Sequence, residues 1–217
     1  MSLKAQSPTL KRTKGAAEFA MQLPAILQIF REPLKPGTRA AYDAIERATA
    51  RIAATHGCPH PYLGIEALTG AEEVWYFNAY ESHADRQRVW DAYAANEALM
   101  TALKESGARK APLTLPPIDV FARYREELSQ GPAWAPGVGR LLVIAMTEAG
   151  THVSPPFKGT VFETDDGRRF TIRAAAARDE ADRIAGAAGA AADVFAVRPD
   201  WSFPSREWVD ADPEFWT

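Results

Sequence analysis

Apolar positions recur in this chain with two different periods, and the change from one to the other marks its elements. The run Ala25-Ile26-Leu27-Gln28-Ile29-Phe30 is short and apolar, and Pro33, Pro36 and Gly37 follow it, which predicts a strand over 25–30. Thr38 is placed to cap a helix. Tyr42, Ile45, Thr49, Ile52 and His56 recur every third or fourth residue on one face of it, and Gly57 and Pro59 stop it. Two further strands are predicted over 62–68 and 74–80, joined by the turn Thr69-Gly70-Ala71-Glu72. Ser82 and Asp85 then form an approximate capping box. The helix behind it carries Val89, Tyr93, Asn96, Met100 and Leu103 along one side, unless Asn96 caps a fresh segment and breaks it. Pro116-Pro117 introduce a fourth strand over 118–124.

The order β-α-β-β-α-β is the split βαβ arrangement of a ferredoxin-like unit. After a Pro/Gly-rich linker over 129–139, part of the pattern returns. A strand is predicted over 141–146, a hairpin over 160–163 and 170–174 turns at Asp165-Asp166-Gly167, an alanine-rich helix begins at Asp179, and a last strand covers 194–197. Asp119-Val120-Phe121-Ala122 reappears as Asp193-Val194-Phe195-Ala196, each time after a helix. The expectation is an α+β protein of two tandem ferredoxin-like units, 21–128 and 140–217, joined by the linker. The second unit is truncated, because only a loop fits between Met146 and Thr160. Trp201, Phe203, Trp208, Phe215 and Trp216 make the C-terminal segment too aromatic for a free tail, and it is expected to dock over the sheet face bared by the missing helix. Residues 1–20 read as a flexible arm, native or appended. Gly186 and Gly189 read as sites of close helix–sheet packing.

Composition narrows the partners. The chain has 217 residues, 47% hydrophobic and 24% charged, with a net charge of −3. That is ordinary globular composition, with no electrostatic footprint for nucleic acid or an anionic membrane. The single cysteine, Cys58, has no partner for an internal disulfide, so a cytoplasmic location is expected. No apolar stretch has the length of a membrane helix.

Three segments carry a family resemblance: Phe30-Arg31-Glu32-Pro33-Leu34-Lys35-Pro36-Gly37, Glu72-Glu73-Val74-Trp75-Tyr76-Phe77 and Ala94-Ala95-Asn96-Glu97-Ala98-Leu99. With them, residues 24–126 resemble the dimeric α/β-barrel group, which includes antibiotic-biosynthesis monooxygenase-like and NIPSNAP-like proteins. The resemblance implies two antiparallel sheets packed face to face with helices outside, built either by a homodimer or by an intrachain pseudo-dimer. For the monooxygenases it also implies a flat phenolic substrate, no cofactor, and Asn, Trp and Tyr side chains near the activated group.

The residues themselves offer a modest set of candidates. Trp75, Asn78 and Tyr80 on the third strand, Tyr76 between them, and Trp90 and Tyr93 on the next helix could line a pocket for a small aromatic ligand; core packing is the competing explanation. His56, Cys58 and His60 have alternate spacing, but helix-end punctuation explains them better than a metal does, so no metal site is expected. Glu66 amid strand residues is either a base facing the pocket or a paired surface charge. His83 falls in the first turn of a helix, where a neutral imidazole needs no function, and His152 sits in a Pro-rich loop, either as a lid residue or without a role. The sequence contains no phosphate loop, no defensible catalytic triad and no cofactor fingerprint. Three functions stay open: a small-molecule-binding protein, a cofactor-independent monooxygenase, or an interaction module without a ligand.

Overall fold

A computed structural model describes residues 23–150, 155–189 and 192–217; the arm over 1–20 and His152 lie outside the described residues. Eight strands among them close into one antiparallel barrel: β1 (Ile26–Pro33), β2 (Tyr62–Ala67), β3 (Glu73–Tyr80), β4 (Ile118–Tyr124), β5 (Leu141–Thr147), β6 (Thr160–Thr164), β7 (Arg169–Ala175) and β8 (Ala192–Val197). Around the barrel they run β1-β3-β2-β8-β5-β7-β6-β4. Each half has the same internal order, β4-β1-β3-β2 and β8-β5-β7-β6, and the halves are joined edge to edge by β2 with β8 and by β4 with β6. The repeated Asp-Val-Phe-Ala segments lie on β4 and β8, the fourth strand of each half. Closure removes every free strand edge.

The period of two in the strands sorts side chains cleanly. Leu27 and Ile29 of β1, Leu63 and Ile65 of β2, and Trp75 and Phe77 of β3 point inward, as do Phe162, Phe170 and Phe195 of the second half. Large aromatics therefore fill the barrel. The linker after β4 is part of this core. It carries Trp134, wholly buried, against Phe77 and Phe162, with its backbone N–H donating to Thr160 Oγ1 at 2.7 Å.

Outside the barrel, α1 (Arg39–Thr55), α2 (His83–Ala95) and α3 (Glu97–Lys110) cover β1, β2 and β3, while α4 (Arg178–Ala188) covers β5, β7 and β8. Asn96 breaks the long second helix. Its Oδ1 accepts from the N–H of Leu99 at 3.1 Å, capping α3, and its Nδ2 donates to the carbonyl of His56 at 2.8 Å, tying that break to the end of α1. The first strand outruns its expected end at Phe30. Arg31 and Glu32 continue the ladder, and Pro33 takes the last rung, where its missing donor does least harm.

Among the described residues no helix stands between β5 and β6. The C-terminal aromatics dock, but not over that place. Trp216, with Phe215 and Trp208, packs on the barrel core from α5 (Arg206–Ala211) and α6 (Pro213–Trp216), while Trp201 lies on the outer face of β2 against Tyr42. The outer face of the second half is buried instead by Ala181 and Ile184 of α4 over Val143 and Val194, with Phe157 beside them. Gly186 meets nothing, so close packing does not explain it, and Gly189 with φ of +72° ends α4. Among the described residues, no helix is long and apolar enough to cross a membrane.

Candidate functional site

The outward residues of the first half stand in rows across three strands. Gln28, Asn78 and Tyr62 are register partners, and the next row holds Phe30, Tyr76 and Gly64. Beneath the helices these rows floor a cavity of about 520 Å³. Glu46 and Thr49 of α1, Trp90, Tyr93 and Ala94 of α2, and Met100, Leu103 and Lys110 of α3 form its walls. The size suits a drug-sized molecule, and the lining is mainly aromatic and aliphatic.

Helix periodicity brings these walls to the sheet. Tyr42, Ile45, Glu46, Thr49 and Ala53 form the buried stripe of α1, and the hydroxyl of Thr49 meets that of Ser106 on α3. The second helix is held less firmly: only Val89 of its residues is buried, and Trp90 is half exposed at the rim.

One end of the cavity is charged and buried. Lys110 Nζ lies 2.9 Å from Glu32 Oε2 and 2.7 Å from Glu46 Oε1, and Tyr42 Oη donates to Glu32 Oε2 at 2.5 Å. The hydroxyls of Tyr42 and Tyr76 are 3.0 Å apart. Glu46 is only 2% exposed, and its Oε1 forms an ion pair with Lys110 at 2.7 Å without a hydrogen bond of good geometry. Burial pushes the Glu46 carboxyl upward, and the nearby Lys110 charge offsets this only in part. Burial alone would lower Lys110, yet the charges of Glu46 and Glu32 outweigh it and hold the ammonium above its usual range. Burial, then the charge of Glu46, raises the hydroxyls of Tyr42, Tyr62 and Tyr76, so all three stay neutral at ordinary pH.

The middle of the cavity holds uncommitted polar groups. The amide of Asn78 and the hydroxyl of Tyr62, cross-strand partners, make no side-chain hydrogen bond to any described residue. Their neighbours are committed. Tyr80 Oη donates to Gln28 Oε1 at 3.2 Å, Gln28 Nε2 donates to Asp119, and Tyr93 Oη meets Cys58 Sγ at 3.0 Å.

Of the residues singled out in the sequence, Asn78, Tyr80, Trp90 and Tyr93 line this cavity. Trp75 does not. It sits one residue out of phase with Tyr76 and Asn78 and so points into the barrel, where Nε1 donates to Glu73 Oε2 at 2.8 Å under the Arg31 guanidinium. Glu66 is on the outer face of β2 but is held by Arg198 and Arg39, both at 2.6 Å, and does not reach the cavity. His56 ends α1, Cys58 Sγ donates to the carbonyl of His60 at 3.2 Å, and the His60 ring stacks on Tyr80, so the three do not converge. His83 is exposed at the start of α2.

Glu32, Glu46 and Lys110 escaped the sequence reading. One signal was present: Glu46 falls on the same stripe as Tyr42 and Thr49, where a charge is out of place on a buried face.

No family model matches this sequence, nor does any curated protein. Similar solved structures include a provisionally named monooxygenase from Fusobacterium nucleatum, at 7% identity and a TM-score of 0.47 over 90% of this chain and 88% of that one. A provisionally named chlorite dismutase has 10% identity and a TM-score of 0.46 over 83% and 97% of the two chains. An anthrone oxidase-like protein has 10% identity and a TM-score of 0.47 over 80% and 92%. With TM-scores below 0.5, they transfer neither a reaction nor a residue to this chain.

Proposed function

We propose that this chain binds a small, flat, largely apolar molecule in the cavity between the sheet of its first half and helices α1 to α3. The observation that carries this reading is the pairing of an aromatic cavity of about 520 Å³ with polar groups left without partners, the Asn78 amide and the Tyr62 hydroxyl. A filled core would bury such groups only with their hydrogen bonds made. The aromatic rings grip the ligand's faces, and Asn78 and Tyr62 bind a polar atom on its edge. Fluorescence titration with naphthylmethanol, a flat apolar alcohol, tests this. Saturable binding that Asn78→Ala weakens supports the reading; no binding, or binding indifferent to Asn78→Ala, overturns it.

One observation favours a second reading, oxygenation of such a ligand without a cofactor. Asn78 and Tyr62 are register partners and both line the cavity, so two polar side chains face the same apolar space. In that reaction a phenolic ligand gives up a proton and reacts with dioxygen. Oxygen uptake during incubation with flat phenols tests it, and a flat electrode trace with a phenol that binds excludes it for that phenol.

We further infer that the halves, 21–128 and 140–217 with 129–139 between them, are tandem ferredoxin-like units acting as an intrachain pseudo-dimer. The identical strand order of the halves supports this, as does closure of the barrel by one chain. A monomeric mass in native mass spectrometry is expected, and an obligate homodimer would overturn it.

A further inference from the structure

We infer that the ligand of this cavity carries a protonated amine beside its flat apolar body, and that Glu46 is the residue that holds it. This rests on the cavity reading above and adds the charge of the ligand.

Charge is unbalanced at the buried end. Two carboxylates, Glu32 on β1 and Glu46 on α1, share one ammonium, that of Lys110 at the end of α3. The other titratable groups facing Glu46 are Tyr42 from its own helix, Tyr62 from β2 and Tyr76 from β3, with Tyr93 of α2 on the same cavity; each hydroxyl stays neutral. With both acids ionised the cluster is therefore one positive charge short.

The shortfall is located on Glu46. Glu32 is served twice at Oε2, by the Tyr42 hydroxyl at 2.5 Å and by Lys110 at 2.9 Å. Glu46 is buried and lines the cavity, and its Oε1 has the Lys110 ammonium at 2.7 Å without a hydrogen bond of good geometry, sharing that one cation with Glu32. A buried carboxylate that shares its one cation with a second acid gains most from a group that brings a well-aimed donor and a further positive charge together. An ammonium supplies both. A neutral ligand supplies at most the donor, and an anionic one worsens the excess.

The surrounding rings suit the same guest. The faces of Tyr42 and Tyr76 already hold the Lys110 ammonium, at 5.4 Å and 5.5 Å from their centroids, and Tyr62 stands edge-on to Tyr76 at 6.2 Å. Phe30, Trp90 and Tyr93 add further faces to the cavity wall. Aromatic faces beside a desolvated acid are the usual recognition chemistry for organic cations. Burial works to raise the Glu46 carboxyl, and a second ammonium beside it would work the other way, so amine binding shifts that carboxyl toward its ionised form. The ion pair –COO⁻···⁺H₃N–R forms without any bond breaking in the ligand, and whatever share of Glu46 was protonated gives its proton to solvent.

The test uses the whole chain and three probes of one shape: naphthylmethylamine as the cation, naphthylmethanol as the neutral isostere and naphthoic acid as the anion. Calorimetric titration near neutral pH is expected to give affinities in the order amine, alcohol, acid, with the amine tighter than the alcohol by on the order of tenfold or more. Amine binding should also release protons, seen as a binding heat that depends on the buffer's ionisation enthalpy, and alcohol binding should not. In Glu46→Gln the amine should lose more affinity than the alcohol, so that the amine's advantage vanishes. Equal affinities for amine and alcohol, or tighter binding of the acid, overturn the inference and leave the cavity reading standing. An amine preference that survives in Glu46→Gln also overturns it, because the cation then sits elsewhere. Failure of all three probes to bind overturns both readings. Should Glu46→Gln fail to fold, the probe order and the proton release of the native chain decide the matter.

Discussion

Tyr42 on α1 and Glu32 on β1 share a hydrogen bond of 2.5 Å across the helix–sheet interface, in a place where both residues are buried. It fixes the first helix to the first strand through polar atoms instead of packing alone. Lys110 completes the arrangement from the end of α3, so helices and strand meet on one charged point. A buried network of this kind is stabilising only while every member is present, because each removal leaves a desolvated group without a counterpart.

Removing the cation should therefore harm the fold more than removing the hydroxyl. Lys110→Met is expected to destabilise the chain by about 3–5 kcal/mol, the range for breaking a buried ion pair from one side. Tyr42→Phe should lose about 1–3 kcal/mol, since Glu32 keeps its lysine. The loss in Lys110→Met also has a pH sign. The folded-state carboxyl of Glu46 is raised, so its contribution is fully present at low pH and is lost as pH rises through the folded value. Without the lysine that value rises further. Urea denaturation near pH 5 and pH 8 should show the larger deficit at the higher pH.

Trp75 and Asn78 lie on one strand and separate two kinds of damage. Trp75 is packed against Phe77, Phe170 and Phe195 inside the barrel, so Trp75→Ala is expected to cost about 3–5 kcal/mol of stability. Asn78→Ala should leave the unfolding midpoint nearly unchanged and weaken naphthylmethanol binding severalfold. Thermal melts and a binding titration on both variants check the contrast. A stable Trp75→Ala with impaired binding would mean that the face assignment of β3 is wrong.

Strand positions were legible in the sequence because buried strands here are short apolar runs cut by proline, glycine and turn residues. Facing was harder to read. Val74-Trp75-Tyr76-Phe77 is apolar on both sides, since the barrel covers one face and helices the other, so alternation gives no phase and Trp75 could be assigned to either side. Trp134 was hidden differently: it lies in a Pro/Gly-rich linker, and local pattern does not say that a linker returns to plug the barrel. The charged end of the cavity was least visible. Glu32, Glu46 and Lys110 come from a strand end, a helix middle and a helix end, and only the fold brings them together. Of these only Glu46 left a trace, as an acid on an otherwise buried helical stripe.

His60 predicts a weakness toward acid. Its ring stacks on Tyr80 at 4.8 Å, Nε2 is buried without a hydrogen bond, and burial lowers its pKa below the ordinary 6.5, although the charge of Asp85 works against this. A group held neutral in the fold contributes stability that is present above the unfolded value and lost as pH falls through the folded one. Stability should therefore begin to fall below about pH 6.5. In His60→Phe, which keeps the stack and cannot take up a proton, that part of the decline should disappear. Equal acid profiles for the two proteins, by chemical denaturation, would mean that His60 is protonated freely in the fold.

At Gly64 the C-terminal strap lies close against the first half. A Cβ built there would lie 3.0 Å from Trp201 Cβ and 3.1 Å from the Trp201 carbonyl oxygen, so the neighbour in the way is partly backbone and yields little. The strap is pinned on both sides of that contact. The N–H of Gly64 donates to Ser202 Oγ at 2.9 Å, Trp201 Nε1 donates to Asp43 Oδ1 at 3.0 Å, and Arg198 lies over the Trp201 ring while bonding Glu66, Asp43 and Asp200. Gly64→Ala is expected to destabilise by about 1–3 kcal/mol through overpacking, and Gly64→Val by more. Adding Trp201→Ala to Gly64→Val should not add the two losses, because the overpacking by valine already disrupts the Trp201 contacts that the alanine would remove. Denaturation of the single and double variants measures this coupling. Fully additive losses would mean that the strap does not rest on β2 in solution.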